Sequence, residues 1–401
     1  MISVEEALRI IASAATPGAR EEIPIIDACG RVLAADLTAD VDWPPFDTSA
    51  MDGYAVRIAD VRASGTSLPE RAASVTAGDP PPPPLSAGEA VRVMTGAPLP
   101  AGTEAVIPVE EARREGTGTV VFTAAPLSGA HIRRRAESVA AGSRLLEAGR
   151  RLSPADVALA AFAGADPCAV FRQPSITIAA TGNELVPSSA RPGPGQLRDS
   201  NGPMLLALCR ARGWPARLVP RVADEAKAVE ALFESGASGS QALLTSGGVS
   251  AGELDLLVDI ARRCGFEILF HGVAVGPGKP IAFARRGGCL WFGLPGNPVS
   301  SAVGFHVFAR AALDRIEGSA APGTPRSTAR LTRSLRSSPS REFYRDAVIQ
   351  SEGGETLVEP LTTRGSHDLA THARANALIR VPIGSGMLSE DTIVECLMIE
   401  R

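Results

Sequence analysis

What most constrains this chain is an alternation of strand-like and helix-like segments that begins at Gln173 and runs to about residue 318. Mostly apolar runs at 175–180, 217–222, 241–245, 281–284 and 289–293 read as strands, and 203–212, 224–234, 253–264 and 297–316 read as helices. Strands so short and so apolar are buried on both faces, and crossovers of roughly 10–15 residues between them are helical. The pattern therefore predicts a mostly parallel sheet with helices on both sides.

In such a sheet, ligands bind beyond the carboxyl ends of the strands. Three loops there are rich in glycine and polar groups. Thr181-Gly182-Asn183-Glu184-Leu185 follows the first strand and puts the Glu184 carboxylate on the rim. Ser246-Gly247-Gly248-Val249-Ser250 follows the third, and Asp255 stands a few residues on, in the first turn of the next helix. Glycines there let backbone N–H groups approach an anion closely. The third loop, Leu294-Pro295-Gly296-Asn297-Pro298-Val299-Ser300, opens the last helix, with Asn297 as its cap. A fourth segment, Gly276-Pro277-Gly278-Lys279-Pro280, presents a lysine on a stiff loop suited to an oxyanion. Only Lys227 joins Lys279 as a lysine among the 40 basic residues. No P-loop and no strand-linked G-x-G-x-x-G is present, which counts against both nucleotide-binding signatures.

The flanking regions read differently. Ser3 and Glu6 form a capping-box pattern ahead of an amphipathic helix carrying Ala7, Ile10, Ile11 and Ala14. From 23 to about 170 the chain is irregular and β-rich, with strand-like runs at 90–94, 105–109 and 119–123. Five prolines at 80–84 form a stiff exposed connector. Ser153-Pro154 opens a helix. Residues 318–328 read as a linker, and the remainder as a small β-barrel or sandwich.

Composition excludes several classes. A net charge of -4 argues against nucleic-acid binding through a basic surface. No apolar run reaches the ~18 residues of a membrane span, and Met1 leads directly into a polar helix, not a signal peptide. Cys29, Cys168, Cys209, Cys264, Cys289 and Cys396 form no C-x-x-C pair, so they read as reduced and mostly buried, in a cytoplasmic protein. The five histidines lack zinc-site spacing.

Taken in order, the motifs resemble the molybdopterin molybdenumtransferases, the family that includes the C-terminal part of gephyrin. The segments that carry the resemblance are 46–56 (with Asp52), 94–102 (with Thr95), 181–185, 199–202, 246–250, 277–280, 293–300, and Gly365-Ser366-His367 with Ala375-Asn376. The resemblance implies a multidomain α/β plus β protein. Residues 1–24, 43–57 and 129–172 would form an elongated N-terminal domain, and 25–42 with 58–128 a β-rich insertion. Residues 173–318 would be the α/β molybdopterin-binding domain, and 319–401 a barrel-like C-terminal β-domain. It also implies a homodimer that inserts molybdate into adenylylated molybdopterin and releases AMP, with Mg²⁺ as the cation. The other partners would be transient: the molybdopterin adenylyltransferase and apo-molybdoenzymes.

Residue by residue, the resemblance makes Asp52, Thr95, Glu184 and Asp255 catalytic, with Asp52 and Glu184 on the metal side. Asp224, Asn297 and the turn with Ser246, Gly247, Gly248 and Ser250 would hold substrate. Lys279, Ser366 and an arginine, Arg345 in preference to Arg341, would bind molybdate. Three departures stand against the family pattern: glycine at 272 and 276 where lysine is usual, and Ser138 where aspartate is usual. Arg133, Arg134, Arg135 or His271 are the candidates to replace the lost charge. The alternative these departures favour is a non-catalytic carrier of molybdopterin or of the finished cofactor.

Overall fold

The computed structural model describes residues 1–247 and 254–399. These gather into two compact units, one of Met1–Ala35, Ala148–Val157 and Pro167–Arg401, the other of Asp36–Glu147 and Ala158–Asp166.

The first unit is built on a six-stranded sheet in the order Ala216–Leu218, Ile176–Ala180, Ala242–Ser246, Cys289–Leu294, Ala282–Arg286, Glu267–His271. The first four strands run parallel and the last two join antiparallel. The three central strands are buried at every position, which is why they read as unbroken apolar runs. Side chains alternate between faces. Leu244 and Phe292 pack with Leu205, Val303 and Phe308 on one side, and with Ile11 of the N-terminal helix Val4–Ala14. Leu243 and Trp291 pack with Phe233, Leu257 and Ile260 on the other. Burying each such side chain contributes ~1.5–3 kcal/mol. The edge strand Glu267–His271 was not expected from sequence: its mixed exposure gives neither a clean alternation nor an apolar run.

The last helix runs unbroken from Pro298 to Ile316, as expected, and its middle turn, Phe305–Ala309, is π-helical. There the His306 carbonyl accepts from the Thr324 hydroxyl at 2.6 Å. The segment 318–328, read as a linker, is tied in place and shorter than expected: Gly323 donates to Asp314 Oδ2 at 3.0 Å, and the next strand starts at Arg326.

The C-terminal segment closes a barrel. Glu342–Glu352 pairs with Glu355–Pro360, then Arg326–Leu331, Ile393–Met398, Ala377–Val381, and so back to Glu342–Glu352. Closure removes the sheet edges, and Ala347, Val358, Ile379 and Cys396 fill the interior. A short strand, Val275–Gly276, adds to Glu342–Glu352 in parallel, with Gly276 opposite Phe343.

The second unit holds two three-stranded sheets. One has the order Val91–Val93, Gly53–Val56, Ala105–Pro108; the other Ser67–Pro69, Thr119–Phe122, Ala112–Arg114. The proline run at 80–84 has no regular structure and is mostly exposed, as expected. Its last carbonyls, of Pro83 and Pro84, accept from Arg71. Five of the six cysteines are buried, and Cys29 is exposed.

Candidate functional site

A cavity of about 670 Å³ opens at the carboxyl end of the sheet in the first unit. Its walls come from the rim loops and from the start of the barrel strand Glu342–Glu352. The structure thereby brings together Glu184, Gly247, Lys279, Asn297, Arg345 and Ser366, six expected site residues, with Arg341, the alternative arginine, and adds Phe343 and Asp346.

The rims are tied before any ligand arrives. Gly247 has φ +99°, and a Cβ there would collide with the Thr181 carbonyl oxygen, so only glycine fits. Asn201, the first residue of the helix Asn201–Ala211, donates through Nδ2 to Ser246 Oγ and to the Gly296 carbonyl, both at 2.7 Å. Ser246 Oγ in turn donates to the Pro295 carbonyl at 3.2 Å. The Ser246 hydroxyl is thus spent on joining two loops and does not line the cavity. Asp224 is tied to the first rim loop. It accepts from the Asn183 N–H at 3.1 Å, and its own N–H donates to Asn183 Oδ1 at 3.2 Å. Asn201 was not among the expected site residues, although it lies in 199–202, one of the segments that carry the resemblance. Gly248, Ser250 and the side chain of Asp255 lie outside the described residues.

The cations of the cavity are unspent. Among the described residues, no carboxylate pairs with Lys279, Arg341 or Arg345. Both guanidiniums instead lie over the Phe343 ring, Arg341 at 5.4 Å and Arg345 at 4.5 Å from its centroid. Burial lowers the proton affinity of Arg345, which remains a cation at neutral pH. Both arginines border the cavity. Asn297 Nδ2 donates to Ser366 Oγ at 2.9 Å, and the Val299 N–H to the Ser366 carbonyl at 3.0 Å, fixing the barrel loop against the helix start. Asp346 also borders the cavity, held at 2.8 Å by His372 Nδ1.

Glu184 is the acid of the site. Its carboxylate folds back over Gly182, where a Cβ would stand 2.6 Å from both carboxylate oxygens. Among the described residues, no hydrogen bond or ion pair uses it. A Mg²⁺-like ion takes hard oxygen donors, often one or two carboxylates completed by substrate phosphates and water. Glu184 fits that requirement. Among the described residues, no group of three or more His, Cys, Asp and Glu side chains could form a protein-only cage.

Asp52 and Thr95 belong to the second unit and form one group. Asp52 Oδ1 accepts from both the N–H and the hydroxyl of Thr95, each at 2.7 Å. Those two hydrogen bonds, ahead of the nearby Arg92 charge, hold the exposed Asp52 carboxyl below its ordinary range. Its other oxygen stays available. Ser138 lines a separate cavity of about 370 Å³ with Arg133 and Glu137. Arg134 and Arg135, candidates to replace the absent lysines, are already paired, with Asp47 at 2.7 Å and Asp42 at 2.6 Å respectively.

The comparisons with known proteins agree along the whole chain. Residues 2–164 match the MoeA N-terminal region (domain I and II), 177–315 the probable molybdopterin binding domain, and 328–399 the MoeA C-terminal region (domain IV). Molybdopterin molybdenumtransferase 2 of Mycobacterium tuberculosis is 34% identical over 390 residues, covering 95% of this chain and 96% of the relative. Molybdopterin molybdenumtransferase of Bacillus subtilis is 32% identical over 407 residues, covering 100% and 94%. Among solved structures, the molybdopterin biosynthesis protein MoeA of Pyrococcus horikoshii OT3 superposes with a TM-score of 0.83 at 26% identity, covering 99% of this chain and 100% of that one. Motifs, sheet, closed barrel and full-length similarity converge, and the chain belongs to the molybdopterin molybdenumtransferase family.

Proposed function

We propose that this protein works in molybdenum cofactor biosynthesis by inserting molybdate into adenylylated molybdopterin, with Mg²⁺ assisting and AMP released. The observation that carries the reading is the convergence of Lys279, Arg341 and Arg345 on one cavity, none of them ion-paired among the described residues although Glu184 and Asp346 border the same space. Molybdate is a tetrahedral dianion. A site that holds it needs cations not already neutralised by neighbours, because charge-assisted hydrogen bonds are the strong ones. Ser366, its hydroxyl accepting from Asn297, has its own proton to donate to a molybdate oxygen.

The adenylylated half of the substrate would lie along the glycine-rich rims. The backbone at Gly247 would approach its phosphates, and Asp255 would hold the adenylyl or pterin part. Asp224 would act by shaping the Asn183 turn. Cleaving the phosphate linkage leaves negative charge on oxygen. A divalent ion held by Glu184 would stabilise that charge; Asp52, ordered by Thr95, is the carboxylate that the second unit offers a metal. A homodimer, the four-part domain division and a cytoplasmic location complete the proposal. So do transient contacts with the adenylyltransferase and with apo-molybdoenzymes. No helix among the described residues is long and apolar enough to cross a membrane.

The test is AMP release from adenylylated molybdopterin by the purified chain, with and without molybdate and Mg²⁺. Molybdate-dependent AMP, with a product that activates an apo-molybdoenzyme, is the expected result. Tight pterin binding without AMP above background would make the protein a carrier.

A further inference from the structure

Position 276 looks at first like a plain loss of charge, but its surroundings say more. Gly276 is buried and stands opposite Phe343 in the parallel pairing of Val275–Gly276 with Glu342–Glu352. A Cβ at 276 would lie 2.5 Å from two atoms of the Phe343 ring. The ring occupies the space a side chain would need.

The strand explains the rest. Side chains on extended backbone alternate, so 341, 343 and 345 project to one face and 342, 344 and 346 to the other. Exposure follows that alternation: Glu342, Tyr344 and Asp346 are buried, while Arg341, Phe343 and Arg345 are half-buried. Phe343 therefore stands along the strand between Arg341 and Arg345, whose guanidiniums lie 5.4 and 4.5 Å from its ring centroid, and all three border the cavity. A carboxylate partner would order an arginine but cancel its charge. An aromatic face orders it and leaves every N–H free for a ligand.

We infer that Phe343 is a positioning residue for oxyanion binding: it holds Arg341 and Arg345 poised in the cavity, and Gly276 exists to admit its ring. This rests on the oxyanion reading of the cavity. It assigns the recognition of a tetrahedral dianion to an arginine–aromatic–arginine row acting beside Lys279, without a side chain at 276.

The experiment measures molybdate binding to the full chain by calorimetry, with thermal unfolding in parallel. Phe343→Leu keeps apolar bulk and removes the aromatic face. It is expected to weaken molybdate binding ~5–30-fold, in line with loss of one to two cation–π contacts, while Phe343→Tyr stays within about twofold of wild type. Gly276→Ala touches no cation yet displaces the ring, and is expected to weaken binding to a similar degree. In the Phe343→Leu background, Gly276→Ala should then add less than about twofold, because the two act through one group. Full additivity, or a Phe343→Tyr loss as large as that of Phe343→Leu, overturns the positioning role. Lys279→Ala and Arg345→Ala separate the two levels. Should both keep wild-type affinity, the oxyanion reading itself falls. Should both lose about tenfold or more while Phe343→Leu and Gly276→Ala stay within twofold, only the positioning role falls.

Discussion

Two charge clusters in the same unit are built on opposite plans. Below the sheet, Asp314 and Glu317 are almost fully buried, and every near cation is spent on them. Arg151 reaches Asp314 at 3.0 Å and Glu317 at 2.6 Å, Arg212 reaches Asp314 at 3.0 Å, and the Trp214 indole donates to Glu317 at 2.7 Å. In the cavity, Lys279, Arg341 and Arg345 are paired with no carboxylate among the described residues, and Glu184 with no cation. Buried charges are tolerated only when paired and hydrogen-bonded. Charges kept apart in a solvated cavity cost little there and stay available for a ligand. The first cluster is therefore architecture, and the second is a site.

The largest effect expected from this contrast is in the paired cluster. Glu317→Ala strands the Trp214 N–H and removes a partner of Arg151, and breaking a buried pair typically costs ~3–5 kcal/mol. The full chain should unfold at a clearly lower denaturant midpoint, while molybdate affinity per folded molecule stays unchanged. Lys279→Ala is the mirror experiment. It should lower molybdate affinity by about tenfold to a hundredfold, the ~1.5–3 kcal/mol of one charge-assisted contact, and leave the unfolding midpoint alone. If each variant moved both readouts, the division between architecture and site would be wrong.

A third prediction concerns pH and sharpens the same division. His306 is buried in the π-type turn, its Nδ1 has no partner, and burial pushes its pKa down to about 3. Arg310 and His372 push the same way. The unfolded chain takes up a proton near the ordinary value of about 6.5 that the folded chain refuses. Stability should therefore be full above about 6.5 and fall as pH drops toward 3, with a slope approaching ~1.4 kcal/mol per pH unit from this residue. His306→Gln should flatten that acid limb in urea titrations. An unchanged slope would show that the group protonates without unfolding the turn.

The contrast also explains what could be read from sequence. The central strands were legible because burial on both faces leaves an unbroken apolar run. Glu184, Lys279, Asn297 and Ser366 were legible because each sits in a short, unusual loop motif, and the cavity gathers all four. For the last part of the chain the strand pattern left barrel and sandwich both open and the resemblance favoured the barrel; what the sequence did not mark is the pairing of 343–347 with 377–381 that closes it. Nor was the use made of Ser246 and Asp224 legible: a polar residue in a site motif looks the same whether its hydrogen bonds go to a ligand or to the next loop. The opposition of Gly276 and Phe343, 67 positions apart in the chain, is likewise a tertiary fact. From composition, a glycine where a lysine is usual is only a deficit.

The smallest expected effect tests whether the rule extends to neutral groups. Asn297 and Ser366 are paired to each other at 2.9 Å, like the architectural cluster, yet they sit on the wall of the site. Asn297 is exposed, so the bond should be worth the low end of ~0.5–1.5 kcal/mol. Its loss should barely move the unfolding midpoint. If its use is to aim the Ser366 hydroxyl at an oxyanion, Asn297→Ala should weaken molybdate binding by about twofold to fivefold, and Ser366→Ala by somewhat more. The double variant should then match Ser366→Ala alone, because an amide that acts only through a hydroxyl has nothing left to aim once that hydroxyl is gone. Additive losses would instead mean that Asn297 meets the ligand itself, and that a paired side chain can still belong to the site.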